Sequence, residues 1–231
     1  MTSNHTSIST DNELLFHQLQ STLQLKVPNA QLVEQALFQV PEITLALIED
    51  CYPQAELNQS QIDNLMDSPP YWAFCWASGQ VMARFLLDNP SLVEGRTVVD
   101  FGSGSGVVAI AAAKAGAKRA IALDIDPAAL MASKLNASLN GITIETRQRL
   151  HNKEINLSSS LLLIADVFYD RDNIPMLSGF IQDYADVIVA DSRVKPSELR
   201  GLSEIDRLSS STVPDLGESS DFNSVGIFRV T

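Results

Sequence analysis

The segment Asp100–Gly106 has the composition and spacing to bind a ligand. It has the sequence DFGSGSG and lies between a short apolar run and an Ala-rich run. Glycines at such a bend let the backbone turn sharply and let a ligand approach where a Cβ would clash, and a helix that begins there offers free N–H groups. Asp124 ends the next apolar run, where a carboxylate can accept both ribose hydroxyls of a nucleotide. A glycine loop and an acid in this order therefore predict a nucleotide-type ligand.

The spacing within the loop distinguishes two cofactors that share this layout. A dinucleotide fold usually shows G-x-G-x-x-G, with the pyrophosphate on the helix N-terminus. Here the spacing is G-x-G-x-G, and Asp100 stands two positions before Gly102. S-adenosylmethionine has no phosphate but carries a cationic sulfonium and an α-amino group, which an acid at the end of a strand favours. The loop therefore favours S-adenosylmethionine over NAD, with a ligand-free glycine turn as the remaining alternative.

The elements that position this loop alternate between strands and helices after Pro69-Pro70. Such alternation is typical of a mostly parallel sheet covered by helices on both faces. We predict an α/β fold with a seven-stranded, mostly parallel, doubly wound sheet of the Rossmann-like type, in which the last two strands are antiparallel. The predicted strands cover residues 97–101, 119–124, 142–147, 161–166, 187–190, 206–213 and 225–230.

The N-terminal part of the chain shows a different pattern. Residues 1–12 are rich in Ser, Thr and Asn and are predicted to be flexible. Leucines at three- and four-residue steps predict a helix over residues 13–25, and a second helix is predicted over residues 30–40, ending at Pro41. Residues 43–50 fit a strand or a short helix equally well. We therefore expect a helical cap, joined to the main domain by a polar, turn-rich stretch over residues 51–70.

Composition excludes several classes of protein. Sixteen Lys and Arg against 28 Asp and Glu give a net charge of −12, which argues against nucleic-acid binding because phosphate contacts need clustered basic side chains. No apolar run reaches the length of a membrane helix, and the N-terminus does not resemble a signal peptide. Two cysteines fit a reducing compartment, so we expect a cytoplasmic protein. The histidines, His5, His17 and His151, show no metal-ligand spacing, so no metal site is predicted.

Several motifs resemble one family of enzymes. They are PPYWAFCWASGQ (Pro69 to Gln80), RFLLDNP (Arg84 to Pro90), VVDFGSGSGVVAIAAAKAGA, ALDIDPAA (Ala122 to Ala129) and DVFYD (Asp166 to Asp170). Together they resemble the class I S-adenosylmethionine-dependent methyltransferases, and specifically the lysine methyltransferases of the electron transfer flavoprotein beta subunit. The resemblance covers roughly residues 69–231. It weakens past Asp191, where the family's Asp-Pro-Gly-Arg is replaced here by Asp-Ser-Arg-Val.

The resemblance implies a division of the chain and a role for particular residues. Residues 67–231 would form the S-adenosylmethionine-binding methyltransferase domain, with residues 13–66 as the cap. The catalytic pair Asp166 and Tyr169 would flank the transferred methyl group, with Asp166 also touching the cofactor. The other cofactor-binding positions that it implies are Trp72 and Trp76 over the cofactor mouth, Asp100, Gly102, Ser103, Gly104 and Gly106 at the methionine end, Asp124 at the ribose, and Ile125 and Asp126 beside the adenine.

Simpler interpretations exist for some of these residues. Asp166 follows a strand and can act as the N-cap of the next helix, and Tyr169 can serve packing alone. Trp72 and Trp76 are four residues apart, which would place both on one face if the segment is helical, where burial in the core is as good an explanation as contact with a cofactor.

The combined pattern predicts an enzyme that transfers methyl from S-adenosylmethionine to a protein lysine amine. Its partner would be a protein with an exposed lysine, such as the electron transfer flavoprotein beta subunit; the oligomeric state is not predicted. The alternatives are methylation of a ribosomal protein or a small-molecule amine, an NAD-dependent oxidoreductase, and a catalytically silent binding module.

Overall fold

The computed structural model describes residues 10–51, 58–150, 155–217 and 219–230. Most of the N-terminal segment that we predicted to be flexible lies outside these ranges, as do His5 and His151. Within the described residues, none of the helices combines the length and the apolar character needed to cross a lipid bilayer.

The N-terminal segment contains a helix, a β-hairpin and a second helix. Helix α1 spans Thr10–Lys26, strands β1 and β2 span Leu32–Ala36 and Thr44–Ile48, and helix α2 spans Gln59–Asp67. The two strands are antiparallel, with Leu32 opposite Ile48. The predicted first helix is confirmed.

The predicted second helix over residues 30–40 is wrong, because this stretch forms β1 and the turn that follows it. Its apolar residues fit the residue period of a helix as well as that of a strand. Tertiary contacts decide between the two structures. One edge of β2 pairs with β1, and its other edge is held by α5, which spans Pro127–Leu139. Asn136 accepts a hydrogen bond from the Ala46 amide at 2.7 Å, and Asn140 accepts one from the Thr44 amide at 3.1 Å. Helix α2 also falls in a stretch that we predicted to be turn-rich.

The main sheet has seven strands in the order β5-β4-β3-β6-β7-β9-β8. Strand β9 is antiparallel to both of its neighbours, and the other pairs are parallel. The predicted α/β architecture is confirmed. The strands are β3 Thr97–Phe101, β4 Arg119–Leu123, β5 Glu145–Arg147, β6 Leu161–Ala165, β7 Asp186–Asp191, β8 Leu202–Ser209 and β9 Ser224–Val230.

Helices cover both faces of this sheet, as continuous apolar strands require. In β6, Leu161 and Leu163 belong to one core cluster and Leu162 and Ile164 to the other. The first cluster includes side chains of α3 and α4, and the second includes Leu177 of α6. The helices are α3 Ala77–Asp88, α4 Val107–Lys114 and α6 Leu177–Asp183.

Asn136 joins the hairpin to the glycine loop. Its side chain is fully buried; besides accepting from Ala46, it donates to the Ser105 carbonyl at 2.8 Å. A buried backbone group left without a partner costs about 1–3 kcal/mol. We therefore expect Asn136→Leu to lower the free energy of unfolding by about 2–5 kcal/mol, measured by urea denaturation.

Asn89→Leu is the matched control for this substitution. Asn89 is exposed and makes one side-chain hydrogen bond, to the Phe85 carbonyl at 2.9 Å. Its replacement should lower the free energy of unfolding by no more than about 1 kcal/mol. Equal losses in the two variants would show that Asn136 does not have the bridging role assigned to it.

Candidate active site

Three of the predicted site residues lie at the carboxyl ends of three adjacent strands. Asp100 lies in β3, Asp124 directly follows β4, and Asp166 directly follows β6. Strand β3 lies between β4 and β6. The chain runs from β3 outward to β4 and β5 and then returns to β6 on the other side, so the order reverses beside β3. Ligands of open α/β sheets bind in the crevice at such a reversal.

The glycine loop connects β3 to α4, and two of its three glycines, Gly104 and Gly106, have different constraints. Gly106 has φ of +83°, and a Cβ there would lie 2.8 Å from the Ser133 Cα atom in α5. Gly104 has φ of +49°, and a Cβ there would meet nothing within 4 Å. Gly106 is therefore required by packing, whereas the space beside Gly104 is open to a ligand.

Alanine substitutions should separate these two roles. Gly106→Ala adds a backbone clash to left-handed strain, so we expect it to lower the free energy of unfolding by about 3 kcal/mol or more. Gly104→Ala adds strain alone, about 1–2 kcal/mol, but its methyl group enters the open space. We expect Gly104→Ala to remain folded and to weaken the binding of S-adenosylhomocysteine at least about tenfold, measured by calorimetry. An unchanged affinity would show that the ligand does not approach Gly104.

Asp124 fixes the shape of the loop. Its carboxylate accepts hydrogen bonds from the backbone amides of Gly104 and Asp126, both at 2.9 Å. Burial raises the pKa of this carboxyl group, and the two amides oppose the shift. The neighbouring Ile125 is 84% exposed, and Asp126 caps α5 by accepting from the Ala128 amide at 2.8 Å. An exposed apolar side chain beside a half-buried carboxylate is consistent with the predicted adenosine-binding edge.

Asp100 is directed toward the start of α4. It is 2% exposed and accepts a hydrogen bond from the Ala109 amide at 3.0 Å. Burial raises its pKa to about 7, and the hydrogen bond from Ala109 counteracts part of that effect. Ser103 is also buried, with its hydroxyl 3.3 Å from that of Ser133. Both residues therefore have structural contacts, and their contact with a ligand stays a prediction.

Asp166 is held by the first turn of α3. One carboxylate oxygen accepts a hydrogen bond from the Ser78 hydroxyl at 2.6 Å and the other from the Ser78 amide at 2.9 Å. Its φ is +52°, a left-handed conformation that is uncommon outside glycine and is tolerated best by Asp and Asn. Asp166 is not the N-cap of the helix that follows, because the N-cap of the 3₁₀ helix Arg171–Met176 is Asp170.

The electrostatic surroundings of Asp166 raise its pKa to about 7. Burial is the main cause, and repulsion from Asp191 adds to it, while the Ser78 hydrogen bonds and the Arg193 charge act in the opposite direction. Asp191 ends β7 and is 2% exposed. Its Oδ1 accepts from the Arg193 and Val194 amides at 2.7 and 2.9 Å. A carboxyl group with such a pKa changes its ionisation in the physiological range.

The two tryptophans occupy different environments. Trp72 is 2% exposed and packs in a core cluster with side chains of α1, β1 and α5, such as Leu23 and Ala132. Trp76 is half-buried, directly precedes α3, and donates from Nε1 to the Tyr71 carbonyl at 3.1 Å. The surroundings of Trp72 are those of a core side chain, whereas Trp76 lies two residues before Ser78, which donates to Asp166.

Tyr169 lies against the segment that precedes α3. Its ring centroid is 5.7 Å from that of Tyr71, and both side chains are 42% exposed. Burial, the Tyr71 hydroxyl and the carboxylates of Asp170 and Asp124 all raise the pKa of Tyr169. Tyr169 is therefore a neutral phenol near Asp124 and at the edge of the crevice.

Sequence reasoning missed Ser78, Tyr71 and Asp191 as parts of the site. Ser78 and Tyr71 fall within the PPYWAFCWASGQ motif that carried the resemblance. The sequence signal for Ser78 was therefore a small polar residue two positions after Trp76. Asp191 was recognised only as the start of a divergent motif. Its burial beside Asp166 depends on the pairing of β6 with β7, in which Ala165 lies opposite Ala190.

Comparison with solved structures identifies the fold. The crystal structure of magnesium protoporphyrin IX methyltransferase from Synechocystis, with bound S-adenosylmethionine, superposes with a TM-score of 0.52 at 15% identity, covering 96% of this chain and 97% of that chain. The fold is that of the class I methyltransferases. Residues 81–191 of this class I methyltransferase fold also match the family model for ribosomal protein L11 methyltransferase (PrmA).

Curated proteins with a more similar sequence include lysine methyltransferases of the electron transfer flavoprotein beta subunit and ribosomal protein L11 methyltransferases. The electron transfer flavoprotein beta subunit lysine methyltransferase of Mus musculus is 40% identical over 147 residues, which are 62% of this chain and 56% of that protein. The Homo sapiens protein of the same name is 42% identical over 135 residues, 57% of this chain and 50% of that protein. The chain thus spans about half the length of these curated relatives. It resembles the family that the sequence motifs indicated.

Proposed function

We propose that this chain is an S-adenosylmethionine-dependent methyltransferase that acts on a lysine amine of a protein, with the electron transfer flavoprotein beta subunit as its target. The observation that carries the proposal is the convergence of Asp124 and Asp166 on opposite sides of the glycine loop, at the strand-order reversal. In this proposal, Asp124 holds the ribose and Asp166 faces the acceptor. The similarity to lysine methyltransferases supports the choice of acceptor.

The residues at the crevice fit the proposed cofactor. The open space beside Gly104 accommodates a ligand that approaches the backbone closely. Asp124 is held rigidly by two backbone amides, and its remaining lone pairs can accept ribose hydroxyls. The predicted contacts of Gly102, Ser103, Gly106, Ile125 and Asp126 with this cofactor belong to the same proposal. When bound, S-adenosylmethionine supplies the electrophilic methyl carbon, and its sulfonium becomes a thioether when the acceptor nitrogen takes the methyl group.

Asp166 and Tyr169 orient the acceptor in this proposal. The Asp166 carboxylate keeps lone pairs beyond those used by Ser78 and can accept an N–H of the lysine amine. Such a contact directs the nitrogen lone pair toward the methyl group, and alignment is the main requirement of a direct displacement. The Tyr169 phenol borders the same opening. The net charge of −12 is consistent with a basic, lysine-bearing partner, since opposite charge speeds the encounter of two proteins.

The decisive test uses two measurements. Calorimetry with S-adenosylhomocysteine should show binding, and the absence of binding at millimolar ligand would contradict the proposed cofactor. Incubation with methyl-labelled S-adenosylmethionine and purified electron transfer flavoprotein beta subunit should place the label on a lysine, identified by mass spectrometry. Label on a ribosomal protein or on a small-molecule amine, with none on the flavoprotein, would keep the cofactor and overturn the acceptor.

A cytoplasmic location is part of the same proposal. Its support is the presence of two free cysteines, Cys51 exposed and Cys75 buried, since reduced thiols persist in reducing compartments.

A further inference from the structure

A connected group of aromatic rings is formed by the segment before α3 and by the loop that follows Asp166, and Phe74 joins it at 5.7 Å from the Trp76 ring centroid. The Tyr71 ring centroid lies 5.8 Å from that of Trp76 and 5.7 Å from that of Tyr169, with interplanar angles of 61° and 56°. These distances lie in the favourable range for aromatic pairs. The rings are inclined to one another, so the group presents ring faces in several directions. We call Tyr71, Trp76 and Tyr169 the aromatic rim.

The rim is built by the two segments that hold Asp166. Trp76 directly precedes α3, whose Ser78 donates two hydrogen bonds to Asp166. Tyr169 follows Asp166 in the loop after β6. The hydrogen bond from Trp76 Nε1 to the Tyr71 carbonyl, at 3.1 Å, fixes the indole relative to the Tyr71 backbone. The rim and the carboxylate are therefore parts of one rigid arrangement.

The rim is accessible and lies in negative surroundings. Tyr71 and Tyr169 are each 42% exposed, so both side chains reach solvent. Carboxylates of Asp124 and Asp170 act on the Tyr169 hydroxyl, and Asp166 lies three residues before Tyr169 in the same loop. The nearby Arg193 guanidinium is placed over the Phe222 ring, 4.5 Å from its centroid. Exposed ring faces beside carboxylates favour a cation over a neutral apolar group.

We propose that Tyr71, Trp76 and Tyr169 form the acceptor site and bind the lysine side chain as an ammonium or methylammonium cation against their ring faces. The inference rests on the proposed function for the identity of the cation. It assigns Trp76 to the acceptor, whereas the sequence motif suggested that this residue covers the cofactor. Ring faces attract quaternary and methylated ammonium groups, so the rim would bind the methylated product side chain as well as the substrate.

Binding of a small probe tests the rim without any turnover. The probe is Nε-trimethyl-lysine, added to the protein saturated with S-adenosylhomocysteine and followed by the proton resonance of its N-methyl groups. Contact with ring faces should move this resonance upfield. The neutral isostere, in which carbon replaces the ammonium nitrogen, should bind about five- to thirtyfold more weakly. Equal binding of the two compounds would overturn the proposal.

Variants at Tyr71 test whether the preference for the cationic probe arises from the aromatic rim. Tyr71→Phe retains the ring and should keep the preference for the cation, whereas Tyr71→Leu should abolish it. Phe38→Leu is the control, because Phe38 is 98% exposed in the turn between β1 and β2, and this variant should behave as the wild type. If Tyr71→Leu does not fold, judged by circular dichroism, Trp76→Leu replaces it with the same expected result.

The affinity for S-adenosylhomocysteine separates the acceptor site from the cofactor site. It should be unchanged within about twofold in Tyr71→Leu and Trp76→Leu. A parallel loss of S-adenosylhomocysteine affinity would place the rim in the cofactor site and overturn the inference while leaving the proposed function intact. No binding of S-adenosylhomocysteine to the wild type would instead contradict the proposed function itself.

Discussion

Asp166→Asn should lower the rate of methyl transfer about 10²–10³-fold while the affinity for S-adenosylhomocysteine changes little. Asparagine tolerates the left-handed φ of +52° and can accept one of the two Ser78 hydrogen bonds. The substitution therefore removes the charge and one acceptor without imposing a new backbone conformation. Single-turnover transfer of a labelled methyl group measures the rate, and calorimetry measures the affinity.

The pH profile should distinguish a group that contacts the acceptor from one that only supports the loop. Burial raises the pKa of Asp166 to about 7, so ionisation of Asp166 should increase activity as the pH rises toward that value. A free lysine amine loses its proton near pH 10.4. Log kcat/KM of the wild type should therefore rise with slope two below the Asp166 pKa and with slope one above it.

Asp166→Asn should show slope one throughout this range, because only the lysine still titrates. A bound sulfonium cation would lower the Asp166 pKa, so the bend should lie at or below pH 7. Asp183→Asn is the control, since Asp183 is exposed at the end of α6, and its profile should match that of the wild type. Full activity of Asp166→Asn, or a bend that persists in this variant, would remove Asp166 from the catalytic assignment.

Asp124→Ala should weaken S-adenosylhomocysteine binding by about 10²-fold or more, equivalent to about 3 kcal/mol. Two effects combine in this loss. The variant lacks the acceptor for the ribose hydroxyls, and it releases the Gly104 amide, which Asp124 holds at 2.9 Å. A loop that has lost this restraint must be ordered again when the ligand binds. Calorimetry measures the affinity directly.

Asp124→Asn separates the two effects. Its amide oxygen can keep one of the two backbone hydrogen bonds, but its NH₂ group is a donor and cannot accept the other. We expect an affinity between those of the wild type and Asp124→Ala. Asp206→Ala is the matched control at an exposed position of the edge strand β8 and should leave the affinity unchanged. Wild-type affinity in Asp124→Ala would show that the ligand does not depend on this carboxylate.

Several features were predictable because their signals are local in the chain. The glycine loop follows from residues that permit left-handed φ, and the sheet follows from short apolar runs separated by helices of typical length. The position of Asp124 at a strand end follows from the same pattern. Most strands begin or end within a few residues of the predicted bounds. Strand β5, for example, is confined to Glu145–Arg147.

The N-terminal hairpin was not predictable in the same way. Residues 30–40 contain apolar side chains that suit a helix or a strand, so the local pattern does not choose between them. The choice depends on Asn136 and Asn140, which bond to the backbone of β2 from a helix far along the chain. Long-range hydrogen bonds of this kind override a weak local preference.

By itself, the sequence determined the class of fold and the position of Asp100, Asp124 and Asp166 at strand ends, because glycine conformations, strand ends and the alternation of elements are encoded within short segments. The tertiary structure decided how those residues work together. Only the folded chain buries Trp72, bonds Ser78 to Asp166, and brings the Tyr71 ring against those of Trp76 and Tyr169. The physical reason is that burial, pKa and ring geometry depend on neighbours that are distant in the chain and become adjacent only when the sheet and helices pack.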